Sequence, residues 1–181
     1  MKKINEIFYS LQGEGYFTGT PSVFIRFSGC NLACDFCDTQ HEAGEWMDDR
    51  SIVAAAKEFP ASHAVITGGE PSLFVDEDFI SLLHEAGYYV QIETNGTHPL
   101  PPNADWVTCS PKEGALLALG KADELKVVYT GQDLSVYENF TALHRFLQPC
   151  SGENTDETIA YILKNPQWRL SLQTHRLIGI R

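Results

Sequence analysis

Long apolar runs and an excess of basic residues are both missing from the sequence. No stretch approaches the ~20 consecutive apolar residues that span a bilayer, and the opening segment MKKINEIFYSLQGEG contains no apolar signal core. We therefore expect a cytoplasmic protein with no membrane partner. Lys and Arg total 13 against 24 Asp and Glu, so the formal net charge is −11. Because this charge repels phosphate backbones, we also expect no nucleic-acid partner.

Internal repeats, low-complexity segments and a convincing interdomain linker are absent as well. A chain of 181 residues with 43% hydrophobic content is suited to one compact domain, which we predict over residues 1–181. The cysteines number five, an odd count in a chain large enough to pack without cross-links. A disulfide framework is therefore the weaker explanation, and three of these cysteines crowd into one short loop.

The order of strand-like and helical patterns predicts the fold class. Strand-like runs lie at 22–27, 63–67, 88–94, 106–109, 124–130 and 144–148, with a seventh candidate at 168–174. Helical patterns lie at 49–59, 76–87 and 155–164. Alternating strands and helices imply parallel pairing, but about six βα units are too few for a closed eightfold barrel of ~250 residues. We predict an α/β fold, a partial, open TIM-like barrel, with its active site at the carboxyl ends of the strands.

A cysteine-rich loop directly follows the first predicted strand. Cys30, Cys34 and Cys37 have the spacing Cys-x3-Cys-x2-Cys. Such a loop can bring three thiolates to three irons of a 4Fe-4S cubane and leave the fourth iron open. The open position suits the amino and carboxylate groups of S-adenosylmethionine (SAM). A structural zinc site is the alternative, with a fourth ligand from Cys109, Cys150 or a distant His.

The loop resembles the cluster motif of the radical SAM superfamily, including an aromatic residue, Phe36, before the last cysteine. Residues 65–71 (VITGGEP) follow the next predicted strand and resemble the Gly-Gly-Glu-Pro segment of that superfamily. Glycines there would let the backbone approach the methionine amino group of SAM. Taken alone, the same four residues are as consistent with an ordinary turn.

Further segments are similar, almost end to end, to the 7-carboxy-7-deazaguanine synthase family of the 7-deazapurine (queuosine) pathway. They lie at 5–15, 24–26, 37–39, 93–96, 110–112 and 171–175. The resemblance implies a lyase that converts 6-carboxy-5,6,7,8-tetrahydropterin to 7-carboxy-7-deazaguanine with loss of ammonia. It also implies a 4Fe-4S cluster, SAM and Mg²⁺ as cofactors, an electron donor such as flavodoxin, and a homodimer. The alternative is a short glycyl-radical activating enzyme, which shares the cysteine loop but acts on a protein partner.

The resemblance also implies three groups of site residues, although it names no catalytic residue. The substrate-binding residues are Leu11, Gln12, Gly13, Arg26, Thr67, Gln173 and His175. The SAM-binding residues are Phe36, Cys37, Asp38, Gly69, Glu93, Ser110, Pro111, Lys112, Gln148, Pro149, Cys150 and Ser151. The metal ligands are Cys30, Cys34 and Cys37 for the cluster and Thr39 for Mg²⁺.

Arg26 can also be interpreted from its place in the strand. It alternates with Ile25 and Phe27, so it points into the barrel if the other face packs on helices. Its guanidinium could bind the pterin carboxylate in bidentate fashion. The alternative is a buried ion pair with Glu14 or Glu93.

Several other assignments have a plain structural alternative. Thr39 could merely cap the cysteine loop, Lys112 could be a solvated surface residue, and His175 could be structural or exposed. Cys109 and Cys150 are expected not to be ligands, and Cys150 is a departure from the family pattern.

Overall fold

The computed structural model describes residues 1–34, 37 and 43–181. Its strands form one sheet in the spatial order β3-β1-β2-β4-β5-β6-β7-β8-β9. The strands are β1 (Lys2–Leu11), β2 (Pro21–Phe27), β3 (Glu45–Met47), β4 (His63–Gly68), β5 (Tyr89–Thr94), β6 (Trp106–Cys109), β7 (Lys121–Tyr129), β8 (Thr141–Pro149) and β9 (Arg169–Leu170). The helices are α1 (Asp49–Ala56), α2 (Glu77–Glu85), α3 (Thr155–Lys164) and α4 (Thr174–Leu177).

The sheet is parallel from β2 onward and open at both edges. Strands β2 and β4 to β9 pair in parallel along the chain, whereas β1 pairs antiparallel with both β2 and β3. The predicted partial, open TIM-like barrel is confirmed. Neither β1 nor β3 was predicted as a strand, because β1 carries mostly half-buried residues without the clear apolar alternation that marks a strand.

Helices α1 and α2 cover the first half of the sheet. The carboxylates of Asp48 and Asp76 accept the backbone N–H groups of Ser51 and Phe79, each at 2.9 Å, and so cap the two helices. Apolar side chains of both helices pack on β2, β4 and β5 to form one core cluster. Helix α3 has the predicted bounds, whereas α1 and α2 end two or three residues earlier than predicted.

The connections between β5 and β8 lack crossover helices, whereas α3 connects β8 to β9. The connections 95–105, 110–120 and 130–140, all within the described residues, contain no α-helix. Instead, loop side chains such as Leu134, Tyr137 and Phe140 pack against β7 and β8 in a second core cluster. The three predicted helices lie elsewhere in the chain, and these connections, at eleven residues each, are short and in the first case rich in proline. No helix of the described residues is long and apolar enough to cross a membrane.

The inner face of the barrel is closed at the amino ends of the strands by an aromatic plug. We define this plug as Tyr16, Phe17, His63, Tyr89, Trp106 and His144. The ring centroid of Tyr16 lies 4.8 Å from that of Trp106 and 4.5 Å from that of His144. The ring centroids of Phe17 and His63 are 4.6 Å apart. The plug leaves the opposite end of the same inner face available for a polar site.

Candidate active site

A cleft of about 280 Å³ lies at the carboxyl ends of the parallel strands, where barrel enzymes place their active sites. All of the predicted substrate-binding residues line it: Leu11, Gln12, Gly13, Arg26, Thr67, Gln173 and His175. It is also lined by most of the predicted SAM-binding residues: Cys37, Gly69, Glu93, Ser110, Lys112, Gln148, Cys150 and Ser151. Pro111 and Pro149 are buried next to lining residues. Phe36, Asp38 and Thr39 lie outside the described residues.

The three loop cysteines line this cleft as free thiols. The backbone N–H of Cys37 donates to the carbonyl of Cys34 at 3.1 Å, and burial raises the pKa of Cys30. Cys109 is different, because it is fully buried in the second core cluster and burial raises its pKa to about 12. This environment supports the expectation that Cys109 is not a ligand.

The donor set fits an iron-sulfur cluster better than a zinc ion. In residues 1–34, 37 and 43–181, no three His, Cys, Asp or Glu side chains converge on a point that would hold one metal ion, as a tetrahedral zinc site requires. A cubane has no such requirement, because each cysteine binds a different iron. Three thiols on one wall of the cleft therefore match a cluster with one open iron.

The Gly-Gly-Glu-Pro segment after β4 contacts both the start of the cysteine loop and the end of β5. A Cβ atom on Gly69 would overlap the carbonyl group of Gly29, just before Cys30, and Gly68 adopts a φ of +119°. Glycine is therefore required at both positions. The buried Glu70 carboxylate accepts the Thr94 hydroxyl at 2.6 Å and the Asn95 N–H at 2.7 Å, so its role in this structure is to fix the end of β5.

A network of one buried lysine and two half-buried carboxylates lies in the cleft. Lys126 Nζ lies 2.5 Å from Glu14 Oε2 and 3.8 Å from Glu93 Oε1. Gln173 Nε2 donates to Glu14 at 2.9 Å, while Gln12 Nε2 donates to Glu93 at 3.1 Å. We call these side chains, together with Thr67, which donates to Glu93 at 3.0 Å, the Lys126 network.

The charges of this network are strongly coupled. Burial alone would raise the pKa of Glu14, but the Lys126 ammonium and the Gln173 amide lower it to about 2. Burial would lower the pKa of Lys126, yet the carboxylates of Glu14 and Glu93 raise it above its ordinary range. Burial and the nearby Lys126 ammonium lower the pKa of Lys112. The cleft therefore holds ionised groups of both signs.

Arg26 points into the cleft, as the strand alternation predicted, and pairs with Glu6 on the neighbouring strand β1. Its Nε atom lies 2.9 Å from Glu6 Oε1, and its guanidinium lies over the ring of Phe8. The carboxylate of Glu6 also binds the guanidinium of Arg181 at the C-terminus. Glu14 and Glu93, the partners considered from sequence, instead bind Lys126.

Known proteins resemble this chain over nearly its whole length. The sequence profile of the Radical SAM superfamily matches residues 24–165. A 7-carboxy-7-deazaguanine synthase of Bacteroides thetaiotaomicron is 64% identical over 181 residues, which cover 100% of both chains. One from Bradyrhizobium diazoefficiens is 42% identical, with 98% of both chains covered. The crystal structure of QueE from Escherichia coli matches with a TM-score of 0.81 and 33% identity over 96% of this chain and 94% of that one.

The chain belongs to the 7-carboxy-7-deazaguanine synthase family of the radical SAM superfamily. It is therefore a radical SAM enzyme of deazapurine biosynthesis that acts on a small molecule and uses a 4Fe-4S cluster and SAM. These predictions from the sequence are confirmed, and the glycyl-radical activating alternative is not favoured.

Sequence reasoning missed Lys126 and Phe8, which line the cleft, and Glu6, which pairs with Arg26. A signal for Lys126 was present, because Glu124 and Lys126 alternate with apolar residues in the strand predicted at 124–130. Charged residues at alternate positions of such a strand face the barrel interior. Phe8 and Glu6 carried no comparable signal, since β1 was not predicted as a strand.

Proposed function

We propose that the synthase reaction, conversion of 6-carboxy-5,6,7,8-tetrahydropterin to 7-carboxy-7-deazaguanine, takes place in the cleft, with Cys30, Cys34 and Cys37 as the cluster ligands. When bound, the cluster and SAM supply hydrogen-atom abstraction from the substrate. The observation that carries this proposal is the convergence of every predicted substrate-binding side chain on one cleft walled by those three thiols.

The substrate side of the cleft would be formed by Arg26 and the Lys126 network. The Arg26 guanidinium would bind the pterin carboxylate, either in place of the Glu6 carboxylate or together with it. Gln12 and Gln173 would present amide donors and acceptors to the pterin edge. The backbone of Leu11 and Gly13 and the side chains of Thr67 and His175 would complete this wall, with Gly13 leaving room for the His175 ring.

The SAM side would be formed by Gly69, the loop after β6 and the turn after β8. Ser110 and Lys112 support this proposal, because the Lys112 ammonium donates to the Ser110 hydroxyl at 3.0 Å on the cleft wall. Glu93 would lie at the boundary, since its present partners belong to the substrate wall. The remaining proposed SAM contacts are Phe36, Cys37, Asp38, Pro111, Gln148, Pro149, Cys150 and Ser151.

Thr39 would bind Mg²⁺ through its hydroxyl, together with substrate oxygens and water. The replacement Thr39→Val removes the oxygen ligand while keeping the volume of the side chain. We expect the rate of turnover to lose most of its Mg²⁺ stimulation, measured by titrating Mg²⁺ under anaerobic conditions. An unchanged Mg²⁺ response would remove Thr39 from the metal site.

Anaerobic product analysis is the decisive experiment for the proposed reaction. The iron-loaded protein is incubated with the carboxypterin, SAM and a chemical reductant, and the products are separated by chromatography and mass. We expect 7-carboxy-7-deazaguanine and ammonia. Cleavage of SAM with the pterin left unchanged would contradict the proposed substrate.

We further propose that the chain acts as a single domain in the cytoplasm, as a homodimer, and receives its electron from a flavodoxin-like donor. The family resemblance supports each of these points. Light scattering of the iron-loaded protein tests the dimer, and turnover with reduced flavodoxin in place of a chemical reductant tests the donor.

A further inference from the structure

The position of Lys126 on β7 is unusual for a lysine. Strand β7 alternates, so that Leu125 and Val127 pack in the outer core while Lys126 points into the barrel. The Lys126 side chain is 6% exposed. A lysine is rarely buried unless its ammonium is paired. Its partners therefore explain why it is tolerated there.

Lys126 connects two walls of the site that are far apart in the sequence. Its ammonium binds Glu14 from the loop after β1 and approaches Glu93 at the end of β5. Through these two carboxylates it is linked to the three proposed substrate contacts of the Lys126 network, which are Gln12, Thr67 and Gln173.

One cation lies between two half-buried carboxylates and offsets the repulsion between them. Two carboxylates that face one cleft repel each other, so without the ammonium one of them would take up a proton. A protonated carboxyl group carries an O–H donor in place of one acceptor oxygen. Where that oxygen is the one that now accepts from Gln12 or Gln173, the amide would have to turn.

We propose that Lys126 is a positioning residue that holds the carboxylates of Glu14 and Glu93, and through them three substrate-facing side chains, in the arrangement that binds the pterin. This inference rests on the proposed function and adds to it a residue that acts without touching the reacting atoms.

Other charged groups surround the network and bear on its pH dependence. The ammonium of Lys112 acts on both carboxylates from the loop after β6, and His175 acts on Glu14 from the C-terminal segment. Glu124 lies two residues before Lys126 on the same face of β7 and adds a third carboxylate. Lys126 is the group among these that bonds directly to Glu14.

The test compares Lys126→Met with Lys126→Arg in the iron-loaded protein. Binding of the carboxypterin is measured by calorimetry with SAM and no reductant, and kcat/KM is measured across pH. We expect K126M to weaken binding roughly 30-fold, since the buried carboxylates lose their charge-assisted partner. We also expect an acid limb in its kcat/KM profile at roughly pH 6–8, because one carboxylate must lose a proton before the site forms. K126R keeps the charge and should show no such limb.

Lys121→Met is the matched control, because Lys121 is exposed at the start of the same strand. The double variant K126M/E14Q removes one carboxylate together with the lysine, so its acid limb should move to lower pH. If Lys126 had only a structural role, K126M would lower stability, but its kcat/KM profile would show no acid limb that the added E14Q substitution shifts.

The possible outcomes separate this inference from the proposed function. If the unsubstituted chain neither binds nor converts the carboxypterin, the proposed function fails. If it does both, while K126M matches it in affinity and pH profile, the role of Lys126 alone is overturned. Should K126M not fold, a ¹³C-Glu titration of the unsubstituted protein decides instead. Glu14 is expected to be ionised still at about pH 4, and a midpoint at or above the ordinary value of 4.5 overturns the inference.

Discussion

The two ends of the barrel's inner face are built from the same strands but have opposite characters. At the amino ends, the aromatic plug packs ring against ring, with Phe17 4.8 Å from Trp106. At the carboxyl ends, Arg26, Glu93 and Lys126 form a charged cleft. Because side chains two residues apart on a strand share a face, β4 and β5 contribute to both ends, with His63 and Tyr89 in the plug and Thr67 and Glu93 in the cleft. Stability and chemistry are therefore separated along the strands, and substitutions at the two ends should have different consequences.

The largest expected effect is on the chemistry at the carboxyl end. Replacing Cys34 by Ala removes one of three cluster ligands, so we expect cluster loading and turnover to be lost together. Iron content, visible absorption and product formation measure this. Cys109→Ala is the matched control, since this buried thiol belongs to the core, and it should keep the cluster while lowering stability by about 1 kcal/mol. A C34A variant that is active without iron would contradict the cluster assignment.

The next largest effect is on stability at the amino end. Trp106 is buried, stacks on Tyr16 and packs edge to face with Phe17. We expect Trp106→Ala to lower the free energy of unfolding by about 3–5 kcal/mol, while the KM for SAM changes little. Trp46→Ala is the control, because Trp46 is 64% exposed and its loss should have an effect within about 0.5 kcal/mol. A large loss of SAM affinity in W106A with unchanged stability would break the division between the two ends.

How far the sequence predicts the molecule differs between its elements. Strands β2 and β4 to β8 were predictable because runs such as 64–67 are continuously apolar or β-branched. Strand β1 was not predictable, because its residues are mostly half-buried and its apolar residues show no strand period. Only its pairing with β2 and β3 marks it as a strand.

The site was predictable where a motif fixes the chemistry. The cysteine loop, taken together with the Gly-Gly-Glu-Pro segment, allows few interpretations, and Cys30, Cys34 and Gly69 all line the cleft. The pairing of Lys126 with Glu14 spans 112 positions, and only the closing of the barrel brings the two together. For the same reason, nothing in the sequence indicated that Glu6 on the neighbouring strand β1 pairs with Arg26.

Glu124 lies between the two ends and should give a pH-dependent effect of intermediate size. Burial raises the pKa of Glu124 to about 7, despite the nearby Lys126 ammonium and the N–H of Tyr16. The folded state therefore holds this proton more tightly than the unfolded state does, and stability falls as pH rises from about 4.5 to about 7. The full change amounts to about 3 kcal/mol. The measurement is urea unfolding at pH 5 and pH 8. In Glu124→Gln the free energy of unfolding should fall by about 3 kcal/mol less between these pH values than in the unsubstituted protein. An equal fall in both proteins would refute the raised pKa of Glu124.

The smallest expected effect comes from a matched pair of Ser→Ala substitutions at the two ends. Ser22 is buried beside the plug, where its hydroxyl lies 3.2 Å from His63 Nδ1 and 3.0 Å from the Thr20 carbonyl oxygen. We expect S22A to lower the free energy of unfolding by about 1 kcal/mol, because a buried hydrogen bond is lost, and to leave the KM for SAM unchanged. Ser110 lines the cleft and accepts a hydrogen bond from Lys112, so S110A should raise the KM for SAM and change stability by less than about 0.5 kcal/mol. If both variants lose stability equally and neither changes the KM for SAM, stability and SAM binding are not separated between the two ends of the inner face.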